Sequence, residues 1–313
     1  MALLRCAVIG VGYLGKFHAQ KYAKIPECEL VAVVDSRQEQ ADAVAAPLHC
    51  AALTDYRSLI GQVDAVSIVV PTQAHYEVCA EFLRAGVHVL VEKPMTTTLA
   101  QADELIRLAK ENHCVLAVGH LERFNPAALA LEPLLSEPRF IDSSRLAPFK
   151  PRATDVSVLL DLMIHDVDLI LSLVDSELES VDCSGARVLT SDIDIANARI
   201  RFANGCVANV TASRVSAKSE RKMRVFQNQA CHSLDFQART LTTYRGATDP
   251  MADPEHAIER HAQSFGEADP LFAEIVDFVD SIRHQRPPKV SGEAGRRALE
   301  AVQRITDATR LIS

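Results

Sequence analysis

The sequence predicts an α/β protein in which an N-terminal parallel sheet is followed by an α+β domain with an open, mainly antiparallel sheet. Two observations support this fold class. The first 120 residues alternate short apolar, β-rich runs with amphipathic helical stretches, whereas the β-rich runs after residue 178 follow one another without helices between them. Alternation is typical of a parallel sheet covered on both faces, and uninterrupted strands favour antiparallel pairing. We therefore expect domains at residues 1–120 and 121–313, with the last helix free to pack on the first domain.

The composition is that of an ordinary globular protein. The 313 residues are 48% hydrophobic and 24% charged, and this length exceeds one small core and favours two domains. A net charge of −8 argues against a general nucleic-acid binder, and no apolar run reaches the ~18 residues of a membrane span. The eight cysteines are scattered without a CxxC pair. They predict reduced core thiols, a cytoplasmic location and no metal site.

Each predicted strand of the first domain is a short apolar run, and each predicted helix is amphipathic. Strands are expected at residues 4–10, 30–35, 65–71, 88–94 and 115–120. Helices are expected at residues 17–25, 38–46, 74–85 and 98–112.

The first predicted strand ends in the turn GVGYLG, which has the GxGxxG spacing. The first glycine allows a tight turn, the second lets the backbone approach a pyrophosphate, and the third lets strand and helix pack closely. The following helix directs its free N–H groups and its dipole at the phosphates. A strand before the turn and a helix after it predict a Rossmann domain that binds a dinucleotide. The expected cofactor-binding residues are Gly10, Gly12, Tyr13, Leu14 and Gly15.

Asp35 ends the second predicted strand, where an acid accepts hydrogen bonds from the adenosine ribose and repels a 2′-phosphate. Arg37 would soften that repulsion, but Asp35 occupies the discriminating position. The pattern favours NAD over NADP, with cofactor contacts from Asp35, Ser36 and Arg37. The alternative is that the three glycines serve turns alone.

Polar residues also follow the third and fourth predicted strands, in the segments PTQAH and EKP. Ligands of an open parallel sheet bind beyond the carboxyl ends of its strands. Lys93 could there hydrogen-bond a substrate hydroxyl and stabilise a developing alkoxide, although a solvated ion pair with Glu92 is the alternative. A helix cap is the alternative for His75. The expected cofactor contacts here are Pro71, Thr72, His75, Glu92 and Lys93.

The segment LLDLMIHDVDLI at 159–170 predicts a largely buried helix that carries acids and a histidine. At about 100° per residue, Asp161, His165 and Asp168 form one narrow polar stripe, while Asp166 lies off it. Buried ionisable groups need a partner or a wet cavity. The stripe therefore either satisfies itself in the core or lines a pocket.

The remaining elements of the second domain are read from the same periodicities. Helices are expected at 128–135, 156–174, 271–284 and 292–311. Strands are expected at 139–146, 178–188, 194–202, 206–213, 223–227, 232–235 and 240–244, with a hairpin at Asn204-Gly205. The polar, acidic segment 247–270 predicts a mobile loop or one that orders on binding.

Cations concentrate in two segments near the stripe helix. Residues 213–224 hold five cations and one acid, and residues 145–152 add three cations. Because guanidinium forks suit phosphates, this pattern favours an anionic substrate such as a nucleotide sugar or a sugar phosphate. Solvated turns are the alternative.

GVGYLG, Asp35, PTQAH, EKP and the spacing D-x-x-x-H in DLMIH together resemble the glucose–fructose oxidoreductase/inositol dehydrogenase/MocA family along essentially the whole chain. The resemblance implies an NAD-dependent dehydrogenase in which Lys93 polarises a sugar hydroxyl, His165 takes its proton and Asp161 binds a neighbouring hydroxyl. A histidine suits the role of base because its unperturbed pKa lies near working pH. Many members approach this helix through glycines, whereas this chain has TDVSVLLD.

GHLERFNPA, RLAPF and the cationic segment resemble the members of this family that act on UDP-sugars. The resemblance implies oxidation of the 3-hydroxyl of UDP-N-acetylglucosamine. The competing interpretations are a 3-dehydrogenase of UDP-N-acetylglucosaminuronic acid and another sugar or inositol dehydrogenase. The resemblance also implies an aminotransferase that consumes the 3-keto product, and a homo-oligomer, dimer or tetramer, formed through the open sheet. The expected substrate-binding residues are Arg123, Asn125, Arg145, Lys150, Arg152 and Arg214.

Two further classes compete with this interpretation. A non-catalytic NAD-binding regulator could lack the lysine or the histidine, whereas Lys93, Asp161 and His165 are all present. A metal-dependent hydrolase would draw its ligands from Asp161, His165 and Asp168 on one helix, which leaves the NAD fingerprint unexplained.

Overall fold

A computed structural model of the chain describes residues 2–149, 157–246 and 258–312, and it divides into two compact units. The first unit consists of Met1–Leu121 and Asp269–Leu299, and the second consists of Glu122–Ala268 and Glu300–Ser313. The predicted boundary at residue 120 lies beside the end of the first segment. Asp269–Leu299, which the sequence assigns to the second domain, belongs to the first unit.

The first unit contains a six-stranded parallel sheet in the order β3-β2-β1-β4-β5-β6, as far as the described residues show. Its strands are β1 (Leu4–Ile9), β2 (Cys28–Val34), β3 (Ala51–Leu53), β4 (Ala65–Ile68), β5 (His88–Glu92) and β6 (Leu116–Gly119). Its first helices are α1 (Gly15–Tyr22), α2 (Gln38–Ala45), α3 (Thr72–Arg84) and α4 (Leu99–Glu111). The predicted parallel sheet is confirmed. The sequence analysis missed β3 because three residues are too short a run to carry a period.

The helix α7 (Pro270–His284) completes the core of this unit. It packs on α1 through an apolar face, and Lys21 of α1 forms an ion pair with Asp269 at the start of α7. Its buried side chains join the cluster that contains Val8 and Val33 of the sheet. The members contributed by α7 are Leu271, Ile275, Phe278 and Val279.

The second unit is built on a nine-stranded mixed sheet among the described residues, in the order β14-β13-β12-β11-β7-β10-β9-β8-β15. The strands are β7 (Phe140–Leu146), β8 (Leu178–Ala186), β9 (Ile195–Phe202), β10 (Val207–Ser213), β11 (Glu220–Gln227), β12 (Ala230–Asp235), β13 (Thr240–Gly246), β14 (Ile258–Ser264) and β15 (Thr309–Leu311). The pairs β7–β10 and β8–β15 are parallel and the other pairs are antiparallel. The expected mainly antiparallel sheet is confirmed.

Three of the other helices differ from the prediction. The helix α5 covers Pro126–Leu131, and the stripe helix begins with a π-helical turn, Leu159–Met163, before α6 (Ile164–Leu173). The helix α8 ends at Ala308, not at 311, because Thr309–Leu311 pair with β8.

The loop predicted at 247–270 was wrong for Ile258–Ser264, which forms β14 beside β13. Its side chains are exposed along its whole length, so the strand carries a polar sequence without an apolar face. Helices long and apolar enough to cross a membrane are absent from the described part of the chain.

Candidate active site

The site residues predicted from the sequence fall into two groups, one in each unit. In the first unit, Gly10 follows β1 with a φ of +87°, and a Cβ there would meet the carbonyl oxygen of Val69 at 2.7 Å. A Cβ on Gly15 would overlap the carbonyl oxygen of Gly10, whereas nothing lies within 4 Å of a Cβ built on Gly12. Gly10 and Gly15 therefore serve the turn and its packing. Gly12 leaves open space, as the close approach of a pyrophosphate requires. The neighbouring Tyr13 and Leu14 are exposed.

A pocket of about 720 Å³ opens beside this turn at the carboxyl ends of β1, β2 and β4. That volume lies within the range of cofactor sites. Asp35 lines it, and its carboxylate accepts the backbone N–H of Val11 at 3.3 Å and that of Arg37 at 3.1 Å. The guanidinium of Arg37 lies 3.6 Å from Asp35. The predicted residues in the wall are Gly10, Gly12, Asp35, Ser36, Arg37 and Pro71.

The sequence analysis missed two polar residues of this pocket, Thr54 and Tyr56. Both follow β3, the strand that it also missed. The ring of Tyr56 packs on Phe82 and under the guanidinium of Arg57, whose carbon lies 4.7 Å from the ring centroid. Burial, followed by the nearby Glu81, raises the pKa of Tyr56 to about 12, so its hydroxyl keeps its proton.

His75 lies inside the protein, although the sequence placed it among the cofactor contacts. Its Nδ1 lies 2.9 Å from the carbonyl oxygen of Pro94, and its Nε2 lies 2.9 Å from that of Val70. Burial lowers the pKa of His75, so the ring is neutral and donates to one of these carbonyls at a time. Its direct contact with a cofactor stays a prediction, as does that of Thr72, the first residue of α3.

Lys93 follows Glu92, the last residue of β5. The alternative interpretation, a solvated ion pair with Glu92, does not fit the structure, because the Glu92 side chain is only 12% exposed and contacts His18 of α1. The carboxylate of Glu92 also accepts the backbone N–H of Lys93 at 3.2 Å. The sequence analysis missed His18, because its place beside β5 depends on how α1 crosses the sheet.

In the second unit, the stripe helix does not follow the even 100° spacing assumed for it. Through Leu159–Met163 the backbone bonds five residues back, so each residue advances by a smaller angle than in an α-helix. The wheel position predicted for Asp161 assumed the even spacing, so it stays a prediction. Asp161 and His165 are both partly accessible, whereas Asp166 and Asp168 are buried.

Asp166, the acid expected to lie off the stripe, is held by Arg145. Its carboxylate accepts Nε of Arg145 at 2.6 Å, Nη2 of Arg145 at 3.2 Å and the hydroxyl of Ser143 at 3.0 Å. Nη1 of Arg145 bonds Glu122 at 2.9 Å. The guanidinium predicted to bind substrate is thus buried between two carboxylates, and a direct contact with substrate stays a prediction.

Three other predicted substrate residues also have protein partners. Arg123 lies 4.0 Å from Asp168 and donates to the Asp168 carbonyl at 3.5 Å. Asn125 caps α5 by accepting the N–H of Ala127 at 3.1 Å. Arg214 is 6% exposed, and its Nε lies 3.8 Å from Asp194.

The cationic segment does not converge on one place. Successive residues of β11 point to opposite faces, so Arg221 lies 3.7 Å from Glu122, while Arg224 pairs with Asp142 at 2.5 Å on the other face. Lys222 lies 3.4 Å from Glu220. Lys150 and Arg152, the remaining predicted substrate residues, lie outside the described residues. The cations of β11 are thus divided between two faces of the sheet, and their role in binding an anionic substrate stays a prediction.

The two groups supply distinct chemistry. The first unit offers an open glycine turn, a helix N-terminus and an acid at the end of β2, which together fit an adenine dinucleotide. It also places a lysine at the end of β5. The second unit offers a carboxylate and an imidazole, both partly accessible, on one helix. An imidazole can accept a proton near neutral pH, and a carboxylate can bind a hydroxyl.

Known proteins resemble the chain over its whole length. A family model described as "Oxidoreductase family, NAD-binding Rossmann fold" matches residues 4–120, and one described as "GFO/IDH/MocA C-terminal domain" matches residues 137–236. The chain is 44% identical over 307 residues to the UDP-N-acetylglucosamine 3-dehydrogenase of Acidithiobacillus ferrooxidans, covering 97% of each chain. It is 27% identical to the myo-inositol 2-dehydrogenase of Thermotoga maritima, covering 95% of this chain and 93% of that one.

Solved structures agree with these matches. The UDP-N-acetylglucosamine 3-dehydrogenase from Acidithiobacillus ferrooxidans superposes with a TM-score of 0.91 at 42% identity, covering 99% of this chain and 98% of that one. A levoglucosan dehydrogenase in complex with NADH and levoglucosan superposes with a TM-score of 0.87 at 20% identity, covering 97% and 96% of the two chains. The second likeness shows the shared fold.

Proposed function

The chain belongs to the glucose–fructose oxidoreductase/inositol dehydrogenase/MocA family of NAD-binding oxidoreductases, and on that premise we propose that it oxidises the 3-hydroxyl of UDP-N-acetylglucosamine to the 3-keto sugar. One observation carries the proposal: the 44% identity to a UDP-N-acetylglucosamine 3-dehydrogenase extends over 97% of both chains. A match of this length includes the elements that bear the predicted substrate residues as well as those predicted to bind the cofactor.

The first unit provides the residues that would hold NAD. Backbone N–H groups at Gly12 and at the start of α1 face the pyrophosphate, and Asp35 accepts hydrogen bonds from the adenosine ribose. Thr54 and Tyr56 add polar walls to the same pocket. Bound NAD supplies the acceptor for the hydride that leaves the carbinol carbon.

The family resemblance supplies the roles of three residues of this chain. Lys93 hydrogen-bonds the reacting hydroxyl and stabilises negative charge that develops on its oxygen. His165 accepts the hydroxyl proton, for which a neutral imidazole is suited. Asp161 binds a neighbouring hydroxyl and orients the sugar.

Two partners follow from this proposal. The 3-keto sugar is a substrate for an aminotransferase, so an enzyme of that class is the expected consumer of the product. A homo-oligomer would form through the open face of the nine-stranded sheet, where polar side chains such as Asp142, Ser144, Lys222 and Arg224 alternate with buried ones. Sedimentation velocity of the purified protein tests this assembly, because a single species of about 34 kDa would exclude it.

The proposed reaction is tested by mixing the protein with NAD and UDP-N-acetylglucosamine and following reduced nicotinamide. A carbonyl-trapping reagent is included because oxidation of a secondary alcohol by NAD is unfavourable near neutral pH. UDP-N-acetylglucosaminuronic acid and free N-acetylglucosamine are run in parallel. We expect turnover with UDP-N-acetylglucosamine alone, and a loss of roughly 10² to 10⁴ in kcat for Lys93→Ala and for His165→Ala. Lys110→Ala is the matched control, since Lys110 is an exposed lysine of α4 paired with Glu293.

The outcomes separate the competing functions. Turnover with the uronic acid or with the free sugar would keep the dehydrogenase and replace the substrate. NADH binding without turnover of any of the three would favour the regulator. A wild-type rate in Lys93→Ala would refute the role of that lysine, whichever sugar reacts.

A further inference from the structure

The carboxylate of Glu92 packs against Gly119, the last residue of the neighbouring strand β6. A Cβ built on Gly119 would lie 2.9 Å from Oε1 and 3.0 Å from Oε2 of Glu92. A side chain at position 119 would therefore press on the carboxylate, and glycine leaves its present place open. The groups that bond Glu92 then hold the carboxylate in that place.

Two hydrogen bonds hold this carboxylate. Nε2 of His18, a side chain that is 1% exposed, lies 3.2 Å from Oε1 of Glu92. The backbone N–H of Lys93 donates to Oε2 at 3.2 Å. A carboxylate only accepts, so Nε2 of His18 carries the proton. Within the described residues, Nδ1 of His18 is buried and has no hydrogen-bond partner.

The helix that carries His18 is also the helix that faces the pyrophosphate. α1 begins at Gly15, the last glycine of the turn, and the order of the sheet places β4 between β1 and β5. The hydroxyl of Tyr22 lies 2.9 Å from that of Ser67 on β4, which fixes the same helix over that strand. His18 thus reaches across β4 to the end of β5.

We propose that His18 is a positioning residue. It acts through Glu92 to hold Lys93 where its ammonium can hydrogen-bond the reacting hydroxyl. The inference rests on the role proposed above for Lys93. His18 binds one oxygen of Glu92, the other oxygen accepts the backbone N–H of Lys93, and Gly119 leaves the space that the carboxylate fills. The ammonium of Lys93 then works beside a fixed negative charge.

The charge of Glu92 is consistent with this arrangement. Burial opposes its ionisation, but the hydrogen bond from His18, the charges of His18 and Lys93 and the backbone N–H of Lys93 together hold its pKa below the ordinary value. Glu92 is therefore a carboxylate at neutral pH. A carboxylate near an ammonium favours the protonated, unreactive form of that amine.

The first test measures Lys93 directly and does not depend on the sugar. Wild-type protein, His18→Leu and Glu92→Gln are treated with a limiting amount of an acetylating ester, and the rate at Lys93 is compared with that at Lys110 by peptide mass spectrometry. We expect the relative rate at Lys93 to rise at least about threefold in both variants, because the free amine becomes more populated. Tyr22→Phe is the matched control: it removes a buried hydrogen bond from the same helix away from Lys93, and its relative rate should equal that of the wild type.

The second test uses turnover. Misplacing a reacting group by about 1 Å can cost roughly 10²-fold, so His18→Leu should lower kcat by about 10- to 100-fold and leave the KM for the sugar and the Kd for NADH within about twofold. His18→Gln keeps an N–H donor and should recover part of the rate. Thermal unfolding is recorded for each variant. Tyr22→Phe should lose stability as His18→Leu does, but it should keep the wild-type kcat.

The results distinguish this inference from the proposed function. An unchanged acetylation rate at Lys93 in both His18→Leu and Glu92→Gln overturns the inference. Loss of activity in Lys93→Ala with a wild-type kcat in His18→Leu also overturns it, while leaving the proposed function intact. Activity in Lys93→Ala overturns the role of the lysine, and with it the premise of the inference.

Discussion

At the scale of single residues, the glycines of one turn obey different physical constraints. Gly15 has no room for a Cβ because the carbonyl oxygen of Gly10 fills that space, whereas Gly12 faces open space. The first constraint belongs to the folded chain itself. The second belongs to the ligand, since a backbone without a side chain lets a phosphate approach.

These constraints predict that a glycine-to-alanine substitution affects a different property at each position. Gly15→Ala should destabilise the protein by roughly 3 kcal/mol because a backbone carbonyl must move. Gly12→Ala should unfold at the wild-type temperature but bind NADH roughly tenfold more weakly or worse. Thermal unfolding and NADH fluorescence titrations measure the two effects. Equal losses of stability in both variants would contradict the assignment.

The carboxylate of Asp35 is expected to determine the preference for NADH over NADPH. Replacing it with serine removes the charge that repels a 2′-phosphate and leaves Arg37, whose guanidinium lies 3.6 Å from the carboxylate. Asp35→Ser should weaken NADH binding roughly tenfold and strengthen NADPH binding. Asp42→Ser serves as the control, because Asp42 is an exposed acid of α2 outside the lining of the pocket. If Asp35→Ser kept the wild-type ratio of the two dissociation constants, Asp35 would not be the discriminating residue.

Some residue assignments were predictable and others were not. The roles of Gly10 and Asp35 follow from the ends of consecutive strands, so a local pattern was sufficient to place them in the pocket wall. Other contacts join distant parts of the chain, such as those of His75 with Pro94, Asn125 with Phe236 and Arg145 with Asp166. Arg145, for example, bonds Asp166 and Glu122, which lie 21 and 23 residues away.

At the scale of elements, periodicity predicted the type of most helices and strands but failed where local geometry is irregular. The stripe helix was expected to be regular, yet it opens with a π-helical turn. Strand β14 was missed because all its side chains are exposed, which leaves no alternation to detect. In such cases backbone hydrogen bonds determine the conformation, as in the pairing of β14 with β13, and the apolar pattern of the sequence does not reveal it.

The loop between β8 and β9 is organised by one acid. Asp194 has no exposed surface, and its carboxylate accepts the backbone N–H groups of Val188, Leu189 and Thr190 at 2.8, 2.6 and 2.8 Å. Burial disfavours the charged form, but these donors and the Thr190 hydroxyl outweigh it and lower the pKa of Asp194 to about 2. The folded state therefore binds this proton less readily than the unfolded state.

The depressed pKa predicts how Asp194 contributes to stability at different pH values. Its contribution is fully present above the ordinary pKa of 3.8 and is lost as the pH falls toward about 2. Asp194→Asn should therefore lower the free energy of unfolding by roughly 1–2 kcal/mol at pH 7 and by less at pH 2.5. Urea unfolding of both proteins at the two pH values measures the difference. A gap that stays constant between pH 7 and pH 2.5 would refute the prediction.

At the scale of the whole molecule, each unit is assembled from two separated segments. The first unit needs Asp269–Leu299 in addition to its N-terminal 121 residues, because the apolar face of α7 completes its core. The sequence predicted both sheets correctly. It gave no sign that α7 belongs to the first unit, since an amphipathic pattern shows that a helix is covered and not what covers it.

This division predicts the behaviour of fragments. Residues 1–121 alone should expose the surface that Leu271, Ile275 and Phe278 cover, and should aggregate without binding NADH. Joining 1–121 to 269–299 through a flexible linker should restore a cooperative thermal transition and NADH binding. Full NADH affinity in the 1–121 fragment would show that α7 is dispensable.

The discontinuity of the first unit also has a consequence during synthesis. A ribosome that has completed residue 121 must still make Glu122–Ala268 before it reaches α7. At about 5–20 residues per second, that interval lasts roughly 10 to 30 s. Throughout it, the nascent cofactor domain leaves part of its core uncovered. The emerging chain is then a client for holding chaperones, and slowing or stalling translation within that stretch would lengthen its exposure to aggregation and proteolysis.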